Sequence, residues 1–209
     1  MMTIPFWTQA GTVDLADLRP EDLAAEFIAD ALAKINRYNG RTFETWSVAA
    51  HSVLVERLCP PEFGPWALLH DAHEFVIGDI TTPAVELIAV LGNIPNFDDA
   101  LALAKARIDR VIATAWHLPN RSYNDQLRRA DRIALCAETI MFMGVMPDIL
   151  EPSDREDTDR ALTMLMEMQD CCKWQTAKSL WLSRVEHYAA LGGMTPPKAT
   201  SPADMASAL

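Results

Sequence analysis

Apolar residues recur at spacings of three and four along most of the chain. Runs of alternating Val, Ile and Thr joined by hairpin turns are missing, so the pattern predicts an all-α fold. A first helix is predicted to open at Pro20, where a missing amide proton is harmless, and to run to about Asn36 with Leu23, Phe27, Ala31 and Ile35 as its apolar stripe. The segment "RYNGRT", residues 37–42, should break it, because Asn39-Gly40 tolerates positive φ. A second helix is expected over 43–58, closed by "CPPEFG", and a third over 65–77, stopped by Gly78. A short helix should follow in "TTPAVELIAVLG", with Thr82 as N-cap and Pro83 at its first position. Longer helices are predicted over 97–117, 123–144 and 154–190. The Pro-rich tail 193–209 reads as flexible, and 1–192 reads as one domain without internal repeats.

The third helical run carries an anomaly. "PWALLHDAHEFVIGDITTP", residues 65–83, sets His70, Asp71, His73, Glu74 and Asp79 among core-forming residues. Helices two and three have a short connection and should pack antiparallel. His51 stands eight residues before Cys59, and His70 six after Gly64. At a rise of ~1.5 Å per residue both imidazoles lie roughly 9 to 12 Å from the loop, so they can meet. Asp71 is close enough around the helix to join a cation between them, and Glu74, four residues after His70, returns to the same face. Two neutral imidazoles and a carboxylate suit a borderline divalent ion, which leaves room for a fourth oxygen ligand. Asp131 in "LRRADRIALCAETIMF" is the candidate, since a buried ionised Asp must be paired or coordinate a metal; a structural ion pair with Arg128 or Arg129 is the competing reading.

Composition narrows the chemistry. Of 209 residues, half are hydrophobic and the formal net charge is −11, which argues against sequence-independent binding to nucleic acid or to an anionic membrane. Cys59, Cys136, Cys171 and Cys172 show no CxxC spacing, and neither a secretory signal nor an apolar run of membrane-spanning length is expected. Free thiols in a reducing cytoplasm follow.

The arrangement resembles the HD-domain phosphohydrolases, whose signature is one His, a later His-Asp doublet and a distant Asp on a following helix. Here these are His51, His70-Asp71 and Asp131. Four flanking pieces agree: "RYNGRT", "WSVAAHSVLVERL", "ALLHDAHEFVIGDITTP" and "RRADRIALCAE". The likeness covers about residues 20–145 and is nearest to the YfbR-type branch of 5'-deoxynucleotidases and phage deoxyadenosine triphosphohydrolases.

The resemblance implies an HD-domain bundle of about six or seven helices holding one divalent metal (Co, Mn, Zn, Mg or Fe) on His51, His70, Asp71 and Asp131. It implies that the metal polarises a phosphate and lowers the pKa of a bound water. By the same resemblance Glu74 would orient or deprotonate that water, Asp79 would contact the sugar or act with Glu74, and Arg37 would grip phosphate through its fork of donors. Arg41, on the same loop, and Trp46, near the loop and His51, are further candidate substrate contacts; the other tryptophans read as core or interface.

His73 departs from the family pattern and reads as a surface or core-satisfied residue, and the lack of further ligand histidines favours one metal over two. His117 and His187, near helix ends, read as structural. The expected reaction is hydrolysis of deoxynucleoside 5'-monophosphates, with deoxynucleoside triphosphate triphosphohydrolysis as the alternative and a silent nucleotide sensor as the alternative of another class. Expected partners are a small nucleotide and, by family, further copies of the chain, with no nucleic acid polymer and no membrane. The long last helix, with Leu162, Leu165, Met168 and Cys172 on one side, should pack within the subunit.

Overall fold

The computed structural model describes residues 3–8, 11–118 and 125–199. It opens with a small antiparallel hairpin, β1 (Pro5–Thr8) and β2 (Gly11–Asp14), in which Phe6 faces Val13. Among the described residues the elements that follow are helical, as the periodicity predicts. The elements are α1 (Ala25–Leu32), α2 (Val48–Leu58), α3 (Gly64–Leu69), α4 (Glu74–Ile77), α5 (Thr82–Gly92), α6 (Phe97–Ala115), α7 (Asp125–Met143), α8 (Arg155–Glu167) and α9 (Trp174–Ala190). Seven of these have eight or more residues among the described part of the chain.

α2 is the central element. Ser47 caps it by accepting from the Ala50 amide, every side chain from Val48 to Glu56 is buried, and α3, α7 and α9 pack around it. Gly64 begins α3 directly under Tyr188 of α9; a Cβ there would overlap the phenol ring, so only glycine permits this approach. The Tyr188 hydroxyl and the Arg184 guanidinium then both reach Glu56, which closes the α2–α9 contact. Trp116 and Trp181 pack edge to face at 6.1 Å in the core, and Trp181 gives its N–H to the Leu68 carbonyl.

Four expected helices are cut or shifted, one of them the second, which starts at Val48 with Ser47 as its cap and not at residue 43, because residues 43–46 belong to the loop that the Phe43 amide ties to α7. The first is a 3₁₀ turn, Pro20–Leu23, an extended Ala24, and then α1. The late start rotates the buried face to Ile28, Ala29 and Leu32 and leaves Phe27, Ala31 and Ile35 half-buried. The expected helix 154–190 is α8, a 3₁₀ turn at Gln169–Cys172, and α9, because Met168 and Cys171 are both drawn into the core and Lys173 is extended. Leu165 and Met168 nonetheless pack inside the subunit. The third break lies inside 65–77, between α3 and α4, and shapes the site described below. The α5 start differs by one residue, with Thr81 preceding it and Pro83 at its second position.

By length and composition the stretch Pro61–Gly92 does reach membrane-crossing length, contrary to expectation. It is divided here among α3, α4 and α5. The four cysteines are free thiols. Of the tail, Met194 is buried and the Thr195 amide bonds to the Trp116 carbonyl, whereas residues 200–209 lie outside the described part.

α7 is fastened to α8 by Asp154, a buried carboxylate that accepts from Arg129 Nε at 2.9 Å and Arg132 Nη2 at 2.6 Å. Burial alone would raise its pKa, but Arg132 and Arg129 outweigh burial and hold it below the usual range. A carboxyl depressed by folding stabilises the native state above its unfolded pKa, about 4, and loses that contribution as pH falls through the folded value. Asp154→Ala should therefore cost about 1–3 kcal/mol in urea unfolding at neutral pH, with a smaller further loss on acidification than the native chain shows. Equal stability of both proteins at pH 7 would remove this role.

Candidate metal centre

The loop from Arg37 to Trp46 is pinned at both ends. The Arg37 amide bonds to the Trp46 carbonyl, the Val48 amide to Ile35, and the Phe43 amide to Phe142 of α7. Tyr38 and Asn39 adopt positive φ, 57° and 52°, ahead of Gly40 at 68°, which is the tight turn that "RYNGRT" predicts. The result turns Arg37 inward over the N-terminal end of α2.

His51 of α2 and His70, just past α3, face each other with ring centroids 5.2 Å apart. Each ring is held through Nδ1. His70 Nδ1–H donates to the Ala67 carbonyl at 2.7 Å, which fixes its tautomer because a carbonyl can only accept. His51 Nδ1 lies 2.7 Å from Glu138 Oε1, so that N–H is likewise spoken for by a carboxylate. Both Nε2 atoms are left for the centre.

Around them stand Asp71 and Asp131. His51 Nε2 is 3.1 Å from Asp131 Oδ1 and 3.6 Å from Asp71 Oδ2; His70 Nε2 is 3.1 Å from Asp71 Oδ2 and 3.8 Å from Asp131 Oδ1. These separations bracket the ~3.4 Å edge of a tetrahedron with bonds of about 2.1 Å. His51, His70 and Asp131 each offer a ligand atom within 4.8 Å of the others, and they could hold a metal ion. His70 Nε2 is moreover buried without a hydrogen bond, since Asp71 lies near it but off the bonding direction. An orphaned imidazole nitrogen with carboxylates at ligand spacing fits a divalent cation.

Electrostatics agree. Burial alone would lower the His70 pKa, but Asp71 and Asp131 raise it well above its ordinary value. Burial and Arg37 pull His51 down, and Glu138 and Asp131 outweigh them. Burial would raise Asp71 and Asp131, yet the imidazoles hold both low. The four residues thus favour positive charge between them, from a proton or from a cation. Asp131 departs from the sequence argument in one respect: its side chain is 48% exposed, so it closes the open side of the cluster and is not a core carboxylate. Arg129, offered as its ion-pair partner, turns instead to Asp154 and Asp157.

Glu138 was not foreseen. Fully buried, it accepts from Arg37 Nε at 2.9 Å, Tyr38 Oη at 3.0 Å and Trp46 Nε1 at 2.8 Å as well as holding His51. Burial would raise it, but Arg37 and His51 bring it down to about 2. A sequence signal existed. Glu138 lies seven residues, two turns, after Asp131 and shares its face of α7. Arg37 is kept charged by Glu138 in spite of burial, and its Nη1 is 3.9 Å from Asp71 Oδ2.

The remaining expected residues divide. Glu74 is buried, and burial, then Asp71 and Asp79, push its carboxyl up to about 9. Asp79 is half-buried beside it and also raised, by burial first. Lys105 of α6 opposes the rise of both carboxylates and is a cation that sequence reasoning missed. Trp46 offers no surface to a substrate: it is fully buried, stacked on Phe142 at 4.8 Å, with its N–H taken by Glu138. Arg41 is exposed, and its side chain makes no hydrogen bond or ion pair to the cluster among the described residues. His73 is buried, not a surface residue, with Nδ1–H donated to Asp109 Oδ1 at 2.9 Å.

No family model matches the chain. It is similar to the "Uncharacterized protein RCAP_rcc00048" of Rhodobacter capsulatus, 48% identical over 167 residues that cover 68% of this chain and 84% of that protein. It is also similar to the "Uncharacterized protein YfdR" of Escherichia coli, 33% identical over 121 residues that cover 58% of this chain and 62% of that protein.

Proposed function

Because the chain belongs to one family with the Rhodobacter capsulatus protein RCAP_rcc00048, a kinship that brings no reaction with it, we propose from the site itself that it is an HD-type, metal-dependent phosphohydrolase of small nucleotides. The first substrate choice is a deoxynucleoside 5'-monophosphate. The observation that carries this reading is a pairing: a two-His, two-carboxylate cluster beside a buried guanidinium, Arg37 Nη1, 3.9 Å from Asp71. A divalent ion such as Co, Mn, Zn, Mg or Fe on His51, His70, Asp71 and Asp131 would supply Lewis-acid polarisation and acidify water.

The side chains do the rest. Arg37, fixed by Glu138, binds phosphoryl oxygens and stabilises the charge that develops on them, and its rigidity means no reorganisation as that charge grows. Glu74 is placed to orient the attacking water and take its proton; a cation held by the cluster would lower its carboxyl from about 9 toward the range where it can accept one. Asp79, half-buried beside Glu74, accepts from the sugar. Lys105 adds a second positive group on the substrate side, which favours keeping triphosphohydrolysis as the second reading.

Chelator-stripped protein incubated with Mn, Co, Mg or Zn and a panel of deoxy- and ribonucleotide mono- and triphosphates tests this. Free phosphate from deoxynucleoside monophosphates is expected; inorganic triphosphate would move the assignment to the second reading. Nucleotide binding by the loaded protein without turnover would replace both with a sensor. Removing the metal should also lower the melting temperature by roughly 5–10 °C, from about 2.7 kcal/mol of binding linkage at a hundredfold excess over Kd and ~2–4 °C per kcal/mol at this size. Re-addition should restore it. A melting curve indifferent to chelator and metal would count against a resident ion.

A further inference from the structure

Between α3 and α4 the chain does not continue as an α-helix. The amides of Ala72, Glu74, Phe75 and Val76 bond three residues back, to Leu69, Asp71, Ala72 and His73. Such a tightened turn has about three residues per revolution, so Asp71 and Glu74 come into line, and His73 is brought round beneath His70. In this segment Asp71, His73 and Glu74 form a second group that could hold a cation, with one ligand atom of each within 4.8 Å of the others.

Two atoms in that group have no partner. His73 and Glu74 are only 5% and 4% exposed, and both His73 Nε2 and Glu74 Oε2 are buried without a hydrogen bond. His73 is anchored as His51 and His70 are, through Nδ1–H to an acceptor, here Asp109 Oδ1, which leaves Nε2 without a partner. Were that ring a charged donor satisfied by its neighbours, Nε2–H would be bonded to Asp71 or Glu74, and it is bonded to neither. The same signature marks His70 Nε2 in the first cluster.

We infer that Asp71, His73 and Glu74 hold a second divalent cation beside the first, with Asp71 shared between them. One imidazole nitrogen and two carboxylates suit Mn, Fe or Zn, and water would complete the shell. Asp71 belongs to both groups, since its Oδ2 lies 3.1 and 3.6 Å from the two nitrogens of the first cluster and it is one of the three residues of the second. The inference deepens the proposed function and changes one part in it: Glu74 gives one oxygen to the second cation and keeps the other for water.

Metal counting tests it apart from turnover. Chelator-stripped full-length protein is dialysed against MnCl2, bound Mn is counted per chain, and the electron paramagnetic resonance spectrum is recorded. Two Mn per chain with a spin-coupled spectrum are expected, and His73→Ala and Glu74→Gln should each bind one Mn with an uncoupled six-line spectrum. One Mn per chain in the unaltered protein overturns the inference. So does a count of two that survives both substitutions. Should His73→Ala fail to fold, the unaltered protein and Glu74→Gln decide. Protein that binds two Mn and hydrolyses no nucleotide keeps this inference and loses the phosphohydrolase; protein that hydrolyses with one Mn does the reverse.

Discussion

Replacing Glu138 by Gln should destabilise the protein by about 3–5 kcal/mol and weaken cation binding roughly 10–100-fold, although Glu138 is not one of the proposed ligands. The reason is the direction of four bonds. Arg37 Nε, Tyr38 Oη, Trp46 Nε1 and His51 Nδ1 all point at the two carboxylate oxygens, and Arg37 and Trp46 can only donate. A Gln amide has one acceptor oxygen and one donor nitrogen. If its nitrogen faces Arg37, two donors meet and the buried guanidinium loses its counter-charge. If its nitrogen faces Trp46 and His51, the indole is unsatisfied and His51 can adapt only by moving its proton to Nε2, where the cation needs a lone pair. Either orientation damages both the fold and the site. Urea unfolding of the apo proteins and competition for Mn against a chelator measure the two losses; native values for both would show that Glu138 neither steadies Arg37 nor sets the His51 tautomer.

How far the sequence is legible depends on which physical signal marks each residue. His51, His70, Asp71 and Asp131 were findable because ionisable side chains interrupt apolar helical runs, and the structure brings these four together. Glu138 carries the same mark, an acid on the Asp131 face of α7, but reading it needs the knowledge that this face meets Arg37 and His51. His73, read as a surface or core-satisfied residue, is buried and donates to Asp109, which fits the second half of that reading; its unpartnered Nε2 carries no mark in the sequence, and nothing in "HDAHEF" announces the tighter turn. The break between α8 and α9 was hidden likewise, because "MQDCCK" contains neither Gly nor Pro and the chain turns there only to bury Met168 and Cys171. Trp46 shows the limit of proximity along the chain: closeness to His51 suggested a substrate contact, and Phe142, ninety-six residues later, covers it.

Asp131→Ala should remove stoichiometric cation from the first cluster and reduce nucleotide turnover by about a thousandfold, while leaving the apo fold within about 1 kcal/mol of the native chain. The kinetic figure follows from losing several kcal/mol of Lewis-acid stabilisation at ~1.4 kcal/mol per tenfold. The stability figure follows from position. His51 and His70 lie in the core, so truncating either confounds ligand loss with a cavity, but the Asp131 side chain is half exposed at the mouth of the cluster and its removal opens no buried cavity. Without it, His51 Nε2 retains Asp71 Oδ2 at 3.6 Å and His70 Nε2 retains the same oxygen at 3.1 Å, so neither imidazole is stranded without a nearby carboxylate. A folded chain that has lost metal and turnover together would tie the chemistry to this cluster. Full turnover by Asp131→Ala at unchanged metal content would break that tie, because the three remaining side chains would then suffice and the face shared by Asp131 and Glu138 on α7 would serve only to hold His51 and Arg37 in place.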